Sequence, residues 1–171
     1  MNNEIIKIFN EVRNIPFRIA LSKDDECLDC AGKSIILRKK LEEIGVKTRF
    51  AVCYFYWINM GFPDDVNKIS HDKDCTHTFV EVLINDKWIK LDPSWDKALE
   101  KIFPISYFDG EHDTILAVKP AGIFDPEKSE RIMKNQENNY DNVINEDLAR
   151  NGEFYEAIDN YLEEIRKSNI K

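Results

Sequence analysis

Two short apolar runs, residues 78–84 and 87–91, flank the pair Asn85-Asp86, and this arrangement restricts the fold more than any other feature of the chain. Asn and Asp tolerate the backbone angles of a two-residue turn, so the spacing predicts a tight hairpin and with it an antiparallel sheet. Upstream, residues 46–57 (VKTRFAVCYFYW) carry the densest β-branched and aromatic run, which predicts a strand. Before it, residues 30–43 predict a helix, with Ile35, Leu37, Leu41 and Ile44 among its apolar positions. Gly45 stands where a C-terminal cap is needed, and Lys39 and Lys40 sit near the negative end of the helix dipole.

The remaining segments are simpler. Ile5, Ile8, Phe9 and Val12 predict a short amphipathic helix over 4–12, ended by Asn14-Ile15-Pro16. Residues 22–29 and 59–74 read as loops, and 93–142 as an irregular stretch punctuated by Pro104, Pro120 and Pro126. A helix over 153–166 places Phe154, Ala157, Ile158, Tyr161, Leu162 and Ile165 on one stripe, suited to the core or to a partner helix. Helix followed by sheet, rather than alternating βαβ units, predicts an α+β fold with an antiparallel sheet. A chain of 171 residues fits one domain, with a core over about 1–120 and an irregular, helical extension over about 121–171.

Charge excludes some functions. With 24 Lys and Arg against 32 Asp and Glu, the formal charge of −8 repels a phosphate backbone, so no nucleic-acid partner is expected. The densest basic group, Lys33, Arg38, Lys39 and Lys40, fits the solvated face of the 30–43 helix. No segment reaches the 18 or so apolar residues of a membrane span, and the N-terminal residues lack a secretory signal pattern. The expectation is a cytoplasmic protein with no membrane partner, whose four cysteines are free thiols.

One of those cysteines is placed for chemistry. Cys30 opens a helix, where unpaired N–H groups and the dipole stabilise an anion and can lower a thiol pKa from about 8.5 toward roughly 3.5–7.5. The same helix start can supply an N–H to an oxyanion. His77 opens the first hairpin strand (HTFVEV) and Asp92 closes the second (WIKLDPSWD), which makes them neighbours at the open end of the ladder. An Asp so placed orients an imidazole and stabilises its charged form.

The segments CAGKSIILRKKLEEIGVKTRFAVCYFYW and HTFVEVLINDKWIKLDPSWD together resemble the nucleophile, His and Asp blocks of transglutaminase-like proteins, over residues 30–96. The resemblance implies a papain-like α+β core, its nucleophile at a helix N-terminus packed on the sheet, and a triad carried by Cys30, His77 and Asp92. It implies acyl transfer on amide bonds: His77 takes the thiol proton, Cys30 attacks the carbonyl, the protonated ring returns the proton to the leaving amine, and water or another amine resolves the thioester. A protein or peptide substrate is implied, and no cofactor or metal. Trp95, three residues after Asp92, is expected to line the cleft, and the 59–74 loop to overhang it, with Phe62 and Asp64 setting specificity. Related enzymes use a Gln or an aromatic residue upstream of the nucleophile as a second oxyanion donor. Here that donor is unassigned: the one glutamine is Gln136, and the upstream segment offers Asn14, Phe17 and Ser22.

Two other readings compete. Cys27, Cys30, Cys75 and His77 contain the donor types of a tetrahedral zinc site. Alternatively, a transglutaminase-like domain acts as a binding module, its C-terminal helix docking a protein partner. Cys53 reads as a small buried hydrophobe, Asp96 as a loop acid, and His71 and His112 as solvated.

Overall fold

The structure, a computed structural model, describes residues 2–168. Its order is α1 (Asn2–Arg13), α2 (Cys30–Glu43), β1 (Thr48–Tyr56), α3 (Asp64–Asn67), β2 (Asp74–Ile84), β3 (Lys87–Leu91), β4 (Gly122–Ile123), α4 (Pro126–Asn138) and α5 (Tyr140–Ser168). The sheet is antiparallel in the order β3-β2-β1-β4. The protein is therefore α+β, as the hairpin requires. Asn85 and Asp86 both have positive φ, 50° and 61°, the mirror-image turn whose twist matches its strands. Among the described residues no helix is long and apolar enough to cross a membrane.

Helix α2 begins and ends where the sequence places it. Asp29 caps its start, accepting hydrogen bonds from the N–H groups of Ala31 and Gly32. At its end Gly45 has φ +79°, the Gly45 N–H donates to Glu42 and the Val46 N–H reaches back to Leu41. This paired closure satisfies carbonyls that would otherwise be left open.

Side chains of β1 alternate between two apolar clusters, since successive strand residues point to opposite faces. Phe50 and Val52 join Ile5, Phe9, Leu37 and Leu41 of α1 and α2. Ala51, Cys53 and Phe55 join Phe154, Ile158 and Leu162 of α5. Phe154 is fully buried, stacked on His71 at 3.8 Å and edge-on to Trp57 at 5.2 Å. Truncating such an anchor to alanine costs about 3–5 kcal/mol.

The extension departs from expectation. Residues 126–138 form α4 rather than irregular chain, because Asp125 caps the start and Pro126 sits in the first turn, where a missing N–H costs nothing. Residues 140–168 form one continuous α5, running through Gly152. The extension belongs to the core: β4 pairs with β1, the Glu130 carboxylate accepts the Phe50 N–H at 2.8 Å, and the Ser129 hydroxyl accepts the Val52 N–H at 3.1 Å. Of the apolar stripe of α5, Phe154, Ile158 and Leu162 are buried in the protein's own core, while Ala157, Tyr161 and Ile165 pack against it half-buried.

Candidate active site

Cys30 is the first residue of α2, and the capping pattern there leaves one donor open. Asp29 Oδ1 takes the N–H groups of Ala31 and Gly32, at 2.9 and 3.0 Å, and the Asp29 carbonyl takes that of Lys33. The Cys30 N–H has no partner among the described residues. Helix α2 is pinned against the sheet beside it by a bond from the Ser34 hydroxyl to the Thr78 carbonyl.

His77 and Asp92 are brought together by the hairpin register. Val80 lies opposite Leu91, which sets Asp92 one step beyond the ladder on the face that also carries His77. The His77 Nε2 and Asp92 Oδ2 atoms lie 2.7 Å apart, with both side chains buried. The other ring nitrogen is left free of Asp92, and Cys30 is close enough to His77 for each to shift the other's titration. Asp92 receives three further donors: the Ala117 N–H on Oδ2, and the N–H and hydroxyl of Ser94 on Oδ1. Burial alone would raise the Asp92 pKa; His77 and these donors outweigh it and hold the carboxylate below its ordinary range. Burial also opposes charge on His77, but Asp92 and then Cys30 overcome it and raise the imidazole to about 10.

The thiol does not follow the sequence expectation. Burial pushes the Cys30 pKa up and Asp29 adds to the rise, while His77 and the Thr78 N–H pull against it; the net direction is upward. The helix start gives less than expected because the thiol is buried, and secondarily because Asp29 places a carboxylate beside it. Among the four cysteines only Cys30 has an imidazole opposing the rise. Burial raises Cys53 and Cys75 to about 12, and burial together with Asp29 raises Cys27 beyond any physiological range.

Lys33 is not on a solvated face. It is fully buried, and its ammonium donates to the carbonyls of Arg13 (3.0 Å), Ile15 (2.7 Å) and Ser94 (2.8 Å). It ties the end of α1 to the turn whose Ser94 grips Asp92. Arg38 is also drawn inward, bonded to Glu42 and Glu130 and lying 4.4 Å over the Phe50 ring, whereas Lys39 and Lys40 are exposed.

Cys30 and His77 open onto a cavity of about 150 Å³ walled by Phe17, Phe55, Trp57, Phe62, Trp95 and Tyr155, among others. Both sequence-nominated cleft residues, Phe62 and Trp95, are in this wall; Asp64 is not. Trp95 is held by its indole N–H on the Ala117 carbonyl at 3.0 Å. Gln136 of α4 also lines the cavity, whereas Asn14 and Ser22 do not.

No family model, curated protein or solved structure matches the chain.

Cys27, Cys30, Cys75 and His77 do not form a metal-holding group, nor does any other set of three His, Cys, Asp or Glu side chains among the described residues. The Cys27 thiol contacts Asp29 Oδ1 at 3.2 Å, and Cys75 lies beside Tyr155 and Asp147. Asp96 is a buried anchor rather than a loop acid, accepting the Phe17 N–H and pairing with Arg166. His71 is a packing residue stacked on Phe154, while His112 is exposed and pairs with Asp109. Gln136 was unreadable as a site residue because it lies 106 positions after Cys30, in a polar segment with no strand or helix periodicity of its own.

Proposed function

We propose that this protein is a cysteine-nucleophile enzyme acting on amide bonds, of the transglutaminase-like, papain-related kind, with Cys30 as nucleophile, His77 as acid and base, and Asp92 as orienting carboxylate. The observation that carries the reading is the buried His77–Asp92 contact of 2.7 Å in a side chain whose other face meets a helix-opening cysteine. A structural histidine needs one partner; here an imidazole fully committed to a carboxylate also engages a thiol at a cavity wall.

In the acyl-transfer step Cys30 bonds to the carbonyl carbon through the thiolate left when its proton is on His77, whose raised basicity beside Asp92 keeps that proton on the ring. The tetrahedral oxyanion meets the open Cys30 N–H, worth about 2.7–4 kcal/mol for a donor of this kind. Collapse breaks the C–N bond, and the amine leaves with the proton held by His77. Water or a second amine then releases the acyl group from the sulfur. Asp92 stays ionised throughout, its four donors keeping it from competing for the proton.

Alkylation by iodoacetamide between pH 5 and 9, with the modified cysteines mapped by mass spectrometry, tests the reading. Cys30 should react ahead of Cys27, Cys53 and Cys75, with a rate that climbs with pH because its thiol is raised. His77→Ala should abolish that lead. Equal labelling of Cys30 in the two proteins would overturn the assignment.

A further inference from the structure

The cavity at Cys30 is one half of a larger cleft. A second cavity of about 170 Å³ lies beside it, and the two share Ile19, Asp29, Ala31, Gln136, Asp147 and Tyr155 as common wall. Cys30 lies in the first lobe only; Cys27 and Tyr140 lie in the second only. The shared wall thus runs past the opening of α2, where the free Cys30 N–H is found. A chain laid from one lobe to the other would cross that point.

The lobes differ in lining but agree in polarity. The first is aromatic, with Trp57, Phe62 and Trp95. The second is aliphatic, with Ile35, Val143, Ile144 and Leu148, and ends on Tyr140, whose hydroxyl is buried and has no hydrogen-bond partner. No lysine or arginine lines either lobe, and the acidic groups present are Asp29 and Asp147 in both with Glu137 in the second. A carboxylate placed here would lose its hydration and find no lysine or arginine to pair with: the one cationic ring, His77, is already committed to Asp92, and the remaining ionisable carboxylates repel it. At the waist, the Gln136 amide makes no hydrogen bond among the described residues. It is a free donor beside the helix opening.

We propose that the two lobes are the subsites on either side of the scissile amide, and that the substrate carries uncharged apolar groups on both sides, an aromatic one in the Trp57–Trp95 lobe and an aliphatic or aryl one ending at Tyr140, with Gln136 clamping the carbonyl between them. This rests on the acyl-transfer reading of Cys30. The Tyr140 hydroxyl meets a polar terminus on the substrate, and Gln136 supplies from α4 the second oxyanion contact for which the upstream segment has no donor. The arrangement also accounts for the integration of α4 and α5 into the core: they form the wall of the second lobe.

Peptide vinyl sulfones test this directly. The Cys30 sulfur adds to the β-carbon and the proton from His77 ends on the α-carbon, with nothing leaving. Four probes combine phenylalanine or aspartate on the peptide side with phenyl or carboxyphenyl on the sulfone. Labelling of Cys30 is read by intact mass, each rate divided by that of iodoacetamide on the same protein. The all-apolar probe should exceed each singly acidic probe by about tenfold or more, the size expected for burying one aromatic group. Ile144→Trp, which fills the second lobe, should erase discrimination on the sulfone side alone, and Gln136→Leu should slow every vinyl sulfone relative to iodoacetamide. Equal normalised rates for the four probes, or an Ile144→Trp effect on the peptide side instead, would overturn the proposal. Calorimetric binding of blocked phenylalanyl-leucinamide against blocked aspartyl-glutamamide separates the two levels. Selective binding of the apolar dipeptide without His77-dependent labelling would keep the subsites and remove the acyl-transfer reading. Labelling with no binding preference would do the reverse.

Discussion

Replacing Lys33 by methionine isolates a feature whose consequences can be worked from distances. The side chains are similar in length, so packing is nearly kept, and what goes is an ammonium with three acceptors at 3.0, 2.7 and 2.8 Å. Each orphaned buried carbonyl costs about 1–3 kcal/mol. The lower figure applies, because the buried charge is itself a burden that the variant sheds. The expected loss is about 3 kcal/mol, or about 6–12 °C in Tm for a chain of this length. The pH dependence carries a second signature. Burial, against the pull of Asp96 and Asp92, lowers Lys33 to about 7, while the unfolded chain keeps the ordinary value of 10.5. Between those values the unfolded chain binds more protons, so the Lys33 contribution to stability rises with pH. His77, raised to about 10, works in the opposite sense above its ordinary 6.5, and comparing wild type with variant at each pH cancels it. Urea titrations followed by circular dichroism at pH 7, 8 and 9 should show the gap between the two proteins widening with pH. A variant as stable as wild type would refute the argument that these three carbonyls need the Lys33 nitrogen, and a gap that narrows would refute the lowering of its pKa by burial.

Other substitutions probe the site's neighbours. Asp92→Asn turns one acceptor into a donor among four existing donors, and should cost about 3–5 kcal/mol in a urea titration while removing the alkylation lead of Cys30. Asp29→Asn keeps an equally good helix cap but removes the charge that raises the thiol, so the pH profile of Cys30 labelling should move to lower pH at nearly unchanged Tm. Gly32→Ala would drive a Cβ into the Cys27 carbonyl, and the displaced 27–29 loop should cost about 1–3 kcal/mol by thermal denaturation.

What could be read from the sequence was local and strongly patterned. The bounds of α2 follow from a cap and a glycine, which put Cys30 at its first position, and the hairpin follows from a turn pair between two apolar runs, from which counting along the strands places His77 and Asp92. Signals that depend on distant chain were lost. Helix α4 has only Ile132 and Met133 as apolar residues, so it has no stripe to detect, and Pro126, which serves as its first-turn residue, reads equally as loop punctuation when no stripe follows. Lys33 looked like its exposed neighbours because the carbonyls that hold it come from residues 13, 15 and 94. The thiol's upward shift was likewise invisible, since helix position alone predicts the reverse and only burial beside Asp29 changes the sign.

Ser129 and Glu130 occupy, with side-chain oxygens, the positions that the carbonyls of another strand would take along β1. The stretch of β1 that β4 leaves uncovered is thereby closed to further pairing: neither a second copy nor an extended peptide can add there without unseating α4. A chain cut after β4 would therefore do more than lose stability. It would bare two amides between Phe50 and Val52, an adhesive edge of the kind that drives strand-to-strand association, and its first symptom would be turbidity rather than a lowered melting point.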